Sequence, residues 1–148
     1  QSILVSLYIG VSLVGNLATT AIAGRIGERK LLSASFIVSC LGLVGAALAR
    51  SLPLVFVSQV SIGLSFGVAY PLLMGLSIQD VGDRERTIAL GVHQAIYGIG
   101  MFAGPGMSGF LANLVGIQPM FGITAFFCLL PVVLTIRGLP GRGQPATT

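Results

Sequence analysis

Charge is what this sequence has least of. Only 8% of its 148 residues are Asp, Glu, Lys or Arg, against about a quarter in an ordinary soluble domain. So few charges cannot dress a water-facing surface, and lipid is the solvent that most of the chain expects. Acids are the scarcest. Glu28, Asp80, Asp83 and Glu85 are all there are, and none falls within an apolar stretch, so the chain offers no intramembrane carboxylate to carry a proton. The two cysteines, Cys40 and Cys128, sit singly inside apolar runs. Without a CxxC or any metal-ligand spacing they read as small packing residues, and no metal or other cofactor is expected. His93 is the one histidine. No Ser–His or Asp pair shows along the spans, which argues against an enzyme. The net charge of +4 does not mark a nucleic-acid binder either, because no basic helix or aromatic stacking platform accompanies it.

What fills the chain instead is apolar sequence: 54% hydrophobic residues and a mean hydropathy of +0.96, gathered into five long runs. The spans are expected at about 2–23, 31–49, 53–78, 87–115 and 119–136, each near the ~20 residues that cross a bilayer as a helix. Strands of a barrel would alternate apolar and polar residues, and these runs do not. The fold class is therefore all-α, a polytopic transmembrane helix bundle. The tail from Arg137 to Thr148, rich in Gly, Pro and Thr, is expected to be disordered. Gln1 opens the chain and the first apolar run begins at Ile3, with no basic n-region or cleavage site of a signal peptide; the chain reads as part of something longer.

Cations give the orientation. Arg25, Arg29, Lys30, Arg84, Arg86, Arg137 and Arg142 fall on one side of the five spans and Arg50 alone on the other. By the positive-inside rule the rich side is cytoplasmic, which puts the C-terminus inside and the N-terminus outside. A plasma membrane, such as the bacterial inner membrane, is the expected location.

Motifs refine the picture. The first basic loop reads Gly24-Arg25-Ile26-Gly27-Glu28-Arg29-Lys30. The fourth span carries Gly98-Ile99-Gly100 and then Gly104-Pro105-Gly106-Met107-Ser108-Gly109. Glycines four apart, such as Gly100 and Gly104, share a helix face and admit a close neighbour, while Pro105 removes a backbone bond and favours a kink. Gly109 extends the small-residue segment. On the third span Gln59, Gly63, Phe66, Gly67, Tyr70 and Met74 form one stripe, with Gly63 and Gly67 as packing points. Tyr8, Ser12, Asn16 and Thr19 form another on the first. On the fourth span His93 and Tyr97 share a face, with Gln94 and Gly98 beside them. Polar side chains in hydrocarbon face a cavity or a partner helix. Asn16, Gln59, Tyr70, His93, Gln94 and Tyr97 are therefore the substrate-path candidates, and for each an interhelical hydrogen bond is the competing role. His93 could also sense pH.

The basic loop resembles the cytoplasmic signature G-x-x-x-D-R-x-G-R-K of the major facilitator superfamily. Arg25, Gly27, Arg29 and Lys30 match its end, with Glu28 in place of the first basic residue after the glycine, Thr20 for its first Gly and Gly24 for its Asp. The Gly-Pro segment is similar to the family's G-x-x-x-G-P-x-x-G-G motif, with Ser108 replacing one Gly. Gln59 stands where first halves of the family carry Arg. The resemblance implies the second half of a twelve-helix transporter, helices eight to twelve of an MFS-type fold. The first half and helix seven would be its partners, along with the lipid bilayer and a small-molecule substrate; protons are a candidate coupling ion. Helix ten would line the cavity, eight and eleven would shape the gates, and nine and twelve would stand outside. Charge complementarity, apart from the resemblance, sets the loop of Arg25, Gly27, Arg29 and Lys30 against Asp80, Asp83 and Glu85 as a gate expected to pair in the outward-facing state and part in the inward-facing one. Efflux of drugs or metabolites by alternating access, in the manner of an antiporter, is the leading reading. The alternatives are a sugar or organic-acid importer of the same family and a non-transporting membrane scaffold.

Overall fold

A backbone in hydrocarbon has no water to bond, so its N–H and C=O groups must be satisfied within the segment itself. The computed structural model describes residues 2–138 and answers this demand with helices throughout. They are α1 (Ser2–Ile26), α2 (Glu28–Ala47), α3 (Leu52–Leu76), α4 (Arg86–Val115) and α5 (Ile117–Gly138). Each is long and apolar enough to cross a membrane, and no strand occurs among the described residues.

Helix ends differ from the expected spans where the chain turns. The basic segment 24–30 was expected as a loop, yet α1 runs through Ile26 and α2 starts at Glu28. One residue makes the turn. Gly27 takes φ 90°, a conformation that costs a residue with a Cβ far more than it costs glycine. Its N–H bonds the Ala23 carbonyl at 3.1 Å to close α1, and its carbonyl accepts from Leu31 N–H at 3.1 Å to open α2. Gly116, at φ 91°, does the same between α4 and α5, through Ala112 at 2.9 Å and Met120 at 3.2 Å. Arg137, placed in the disordered tail by the sequence, instead ends α5 as a last-turn cation, where it favours the helix dipole. The rest of that expectation, over 139–148, lies outside the described residues.

The helices do not pack in chain order. α1 lies along α3, α3 along α2, and α2 along α5, while α4 touches α5 lightly and meets α3 through side chains. Lipid tails are as apolar as leucine, so contact between helices depends on how closely their backbones approach. Small residues allow that approach. A Cβ on Gly63 would stand 2.9 Å from the Tyr8 carbonyl oxygen, and one on Gly67 would collide with the Ser12 carbonyl. Ser12 Oγ donates to the Gly63 carbonyl at 2.9 Å across the same seam. Between α2 and α3, Gly42 and Gly45 serve alike, facing Ile62 and Ser58. Leu32, Ala69 and Leu72 form a small buried core beside this contact.

The second span was read as an outer support; α2 packs on both α3 and α5 and keeps Ile37, Leu41, Val44 and Leu48 as an exposed apolar stripe. The cysteines lie in its contact with α5, each thiol donating weakly to the other helix: Cys40 to Ala125 O at 3.8 Å and Cys128 to Phe36 O at 3.9 Å. The Gly-Pro face of α4 was expected to meet another helix. Among the described residues nothing lies within 4 Å of a Cβ built on Gly98, Gly100, Gly104 or Gly109, and α4 has no buried residue. α4 remains one continuous helix through Pro105. Between α4 and α5 lies a cleft of about 440 Å³ that includes Gly104, Ser108, Thr124 and Phe127.

The α1–α3 seam makes a direct prediction. Gly67→Ala should destabilise the protein by about 1–3 kcal/mol, the usual cost of overpacking. Gly75→Ala, where the space is open, should be neutral or stabilising by up to about 1 kcal/mol. Unfolding in detergent measures both, and equal effects would contradict the seam.

Candidate functional site

Where α1 and α3 touch backbone to backbone, α3 and α4 touch ring to ring. His93 lies seven residues into α4 from Arg86, about 10 Å along the axis, and Tyr70 lies six residues before the end of α3, about 9 Å. Antiparallel helices joined by the 77–85 connection therefore bring these two to one level. Tyr70 and Tyr97 stand with ring centroids 5.1 Å apart and planes tilted by 58°. Phe66 lies 6.0 Å from Tyr70 and 6.3 Å from Tyr97, and His93 is 6.3 Å from Tyr70. Tyr8 of α1 joins through Phe66 at 6.1 Å. The result is an aromatic wall running from α1 across α3 to α4. Offset and tilted pairs at these spacings each contribute about 0.5–1.5 kcal/mol beyond area burial.

Two polar bonds tie the wall together. Gln94 Nε2 donates to the Tyr70 hydroxyl at 2.8 Å. Ser77 Oγ and His93 Nδ1 lie 2.9 Å apart. Here the structure corrects the sequence reading, which found no Ser–His pair: the two residues are 16 apart in sequence and reside on different elements. The pair is not set up for nucleophilic catalysis. The Ser77 hydroxyl donates its one proton to the Leu73 carbonyl at 2.8 Å, so His93 Nδ1–H is the donor to Ser77, and the imidazole takes no proton from the hydroxyl. His93 Nε2 is buried with no partner among the described residues.

Of the six substrate-path candidates, Tyr70, His93, Gln94 and Tyr97 come together in this cluster. Gln59 does not: it lines a separate recess of about 280 Å³ with Leu4, Val5 and Tyr8. Asn16 is half-buried on α1, outside the ring contacts. Ser77 was missed. Its signal was position alone, at the C-terminal cap of α3, where a hydroxyl can bond back to the helix and still face the next one.

The charged residues sit at the helix ends. Arg25 closes α1, Gly27 turns the chain, and Arg29 and Lys30 occupy the first turn of α2. Asp83 pairs with Arg86, its near neighbour, at 3.2 Å, with side chains 92% and 51% exposed. Such a pair is worth little, and it leaves Asp83 engaged with its own connection rather than with Arg25 or Arg29. Glu85 is exposed just before α4. No group of three or more metal-ligating side chains occurs among the described residues.

Comparison with known proteins places this geometry. A family model described as Major Facilitator Superfamily matches residues 1–147. Two uncharacterized MFS-type transporters of Mycobacterium tuberculosis, one from strain CDC 1551 / Oshkosh and one from strain ATCC 25618 / H37Rv, are each 22% identical over 137 residues. The match takes in 90% of this chain and 20% of each relative, so the chain spans about a fifth of their length.

The Ser77–His93 contact should behave as an interhelical bond. A double-mutant cycle of Ser77→Ala and His93→Phe, followed by unfolding in detergent, should give a coupling of about 0.6 kcal/mol and no more than about 1.7, the range for such bonds in membranes. A coupling of zero would mean that α4 does not rest on α3 at this point.

Proposed function

Because this chain belongs to the Major Facilitator Superfamily, we propose that its five helices are helices eight to twelve of a secondary transporter working by alternating access. Helix seven and the first six-helix half complete it, lipid surrounds it, and a small molecule passes at the midplane between the halves. The placement is supported by Gln59 and by the altered first-loop motif. It is also supported by the two single-glycine turns, Gly27 and Gly116, which lie at opposite ends of the bundle, as inverted repeats require. The open glycine face of α4 is a surface for a helix beyond this chain.

The observation that carries the reading is the aromatic wall from Tyr8 through Phe66 and Tyr70 to Tyr97. Its rings bind flat, apolar substrates by stacking, and the exposed Gln94 supplies a polar contact to orient them. That chemistry suits efflux of aromatic drugs or metabolites better than import of sugars, which need many hydrogen-bonding groups. The rocking motion works against the basic end. Arg25, Arg29 and Lys30 pair with Asp83 and Glu85 when the basic end is closed, and exchange these partners for local ones such as Asp83–Arg86 when it opens. With the basic end in the cytoplasm of a bacterial inner membrane, the C-terminus lies inside. Any coupling proton is carried by a carboxylate outside this chain, since the four acids here lie at the start of α2 or in the 77–85 connection.

Efflux of ethidium, a planar aromatic cation, from cells producing the full-length protein tests the reading. Tyr97→Ala and Gln94→Ala should each lower the rate roughly tenfold at normal membrane abundance, the equivalent of about 1.4 kcal/mol. Tyr97→Phe should retain most of the rate. No efflux by the unmodified protein, or full rates in both alanine variants, would contradict the proposal.

A further inference from the structure

The basic end of the α2–α5 contact holds a second cleft, away from the aromatic wall. Its volume is about 490 Å³, and its lining is Arg29, Lys30, Ser33, Ala34 and Ile37 from α2 with Thr135 and Ile136 from α5. These positions of α2 recur at intervals of three and four, so they lie on one helix face. The chemistry changes along that face. Cations and the positive end of the α2 dipole stand at the mouth. One turn deeper, about 6 Å along the axis, the lining is Ser33 and Ala34, and a further turn brings Ile37. Below the cleft the apolar stripe continues on the bundle exterior through Leu41, Val44 and Leu48.

We propose that this cleft binds an anionic phospholipid, with its phosphate against Arg29 and Lys30 and an acyl chain along the Ile37–Leu48 stripe. Three observations point to that ligand. The lining contains two cations and no carboxylate. Arg29 Nε is buried with no hydrogen-bond partner, and a donor of a charged group is costly to leave so. The polar mouth sits at the end of the membrane-crossing helices, at headgroup depth, while the floor is hydrocarbon; this is the polarity gradient of a phospholipid and not of a free ion. Thr135 takes no part, since its hydroxyl is spent on the Pro131 carbonyl at 2.6 Å. The site shares Arg29 and Lys30 with the proposed gate, but its test reads lipid retention and unfolding and needs only that the bundle sits in a bilayer. Lipid bound there would brace α2 against α5 at the end where the proposed gate works.

Lipid retention and thermal unfolding of the full-length protein test this in nanodiscs of phosphatidylcholine with and without phosphatidylglycerol. Phosphatidylglycerol should raise the unfolding midpoint and be retained over phosphatidylcholine in native mass spectrometry. Retention should fall roughly fivefold for each cation removed, the worth of one basic residue at an anionic surface. Thus Lys30→Gln, an exposed first-turn position that tolerates change, loses about that factor, and Arg29→Gln with Lys30→Gln loses most of the stabilisation. Arg50→Gln, at the opposite end, keeps it. Inorganic phosphate added to phosphatidylcholine discs should not raise the midpoint. Undiminished retention in Lys30→Gln would overturn the site, and so would a midpoint rise with inorganic phosphate alone, which would mark a free-anion site.

Discussion

Helices in hydrocarbon gain nothing from hiding apolar surface, so what holds one to another is the closeness of backbone approach. That constraint separates this chain into a tight part and a loose part. Along α1, α3 and α2, glycines at 15, 42, 45, 63 and 67 stand where a methyl group would press on the neighbouring helix. Leu32, Ala69 and Leu72 fill the small core that remains. α4 has no such contact. It stands off from α3 and reaches it with long side chains, Tyr97, Gln94 and His93.

The loose contact is where chemistry can happen. A seam closed by backbone has no room for a ligand, whereas ring-to-ring contacts at 5–6 Å can open around a flat guest at small cost. On the proposed function, the substrate would lie between elements that part and rejoin, and the contact of α3 with α4 is the one closed by side chains alone. The single-glycine turns at Gly27 and Gly116 tie α1 to α2 and α4 to α5 at one end only. The basic cleft beside Gly27 would add lipid to that brace.

Much of this was legible in the sequence. Five apolar runs, scarce charge and one-sided cations announce spanning helices, because lipid leaves the backbone no other choice. Tyr70, His93, Gln94 and Tyr97 were legible as well, since a polar group in a span must face something. Three features were not. The turn at Gly27 was read as a seven-residue loop, because charged residues look like loop when the helix dipole is what holds them. Ser77 bonds to His93 from another element, and spacing along one helix cannot reveal that. The Gly100–Gly109 face carries the marks of tight packing yet stands open, since a helix face records that a neighbour fits and not whether this chain contains it.

The measurement closest to the central claim is water accessibility of single cysteines, with Cys40 and Cys128 replaced by Ala, probed with a membrane-impermeant maleimide. The account expects cysteines at positions 94 and 97 to react and to be shielded by a bound aromatic compound, while those at 12 and 15 stay silent. Silence at 94 and 97 would show that α3 and α4 do not form an open contact and would remove the site, and reaction at 12 and 15 would contradict the closed α1–α3 seam.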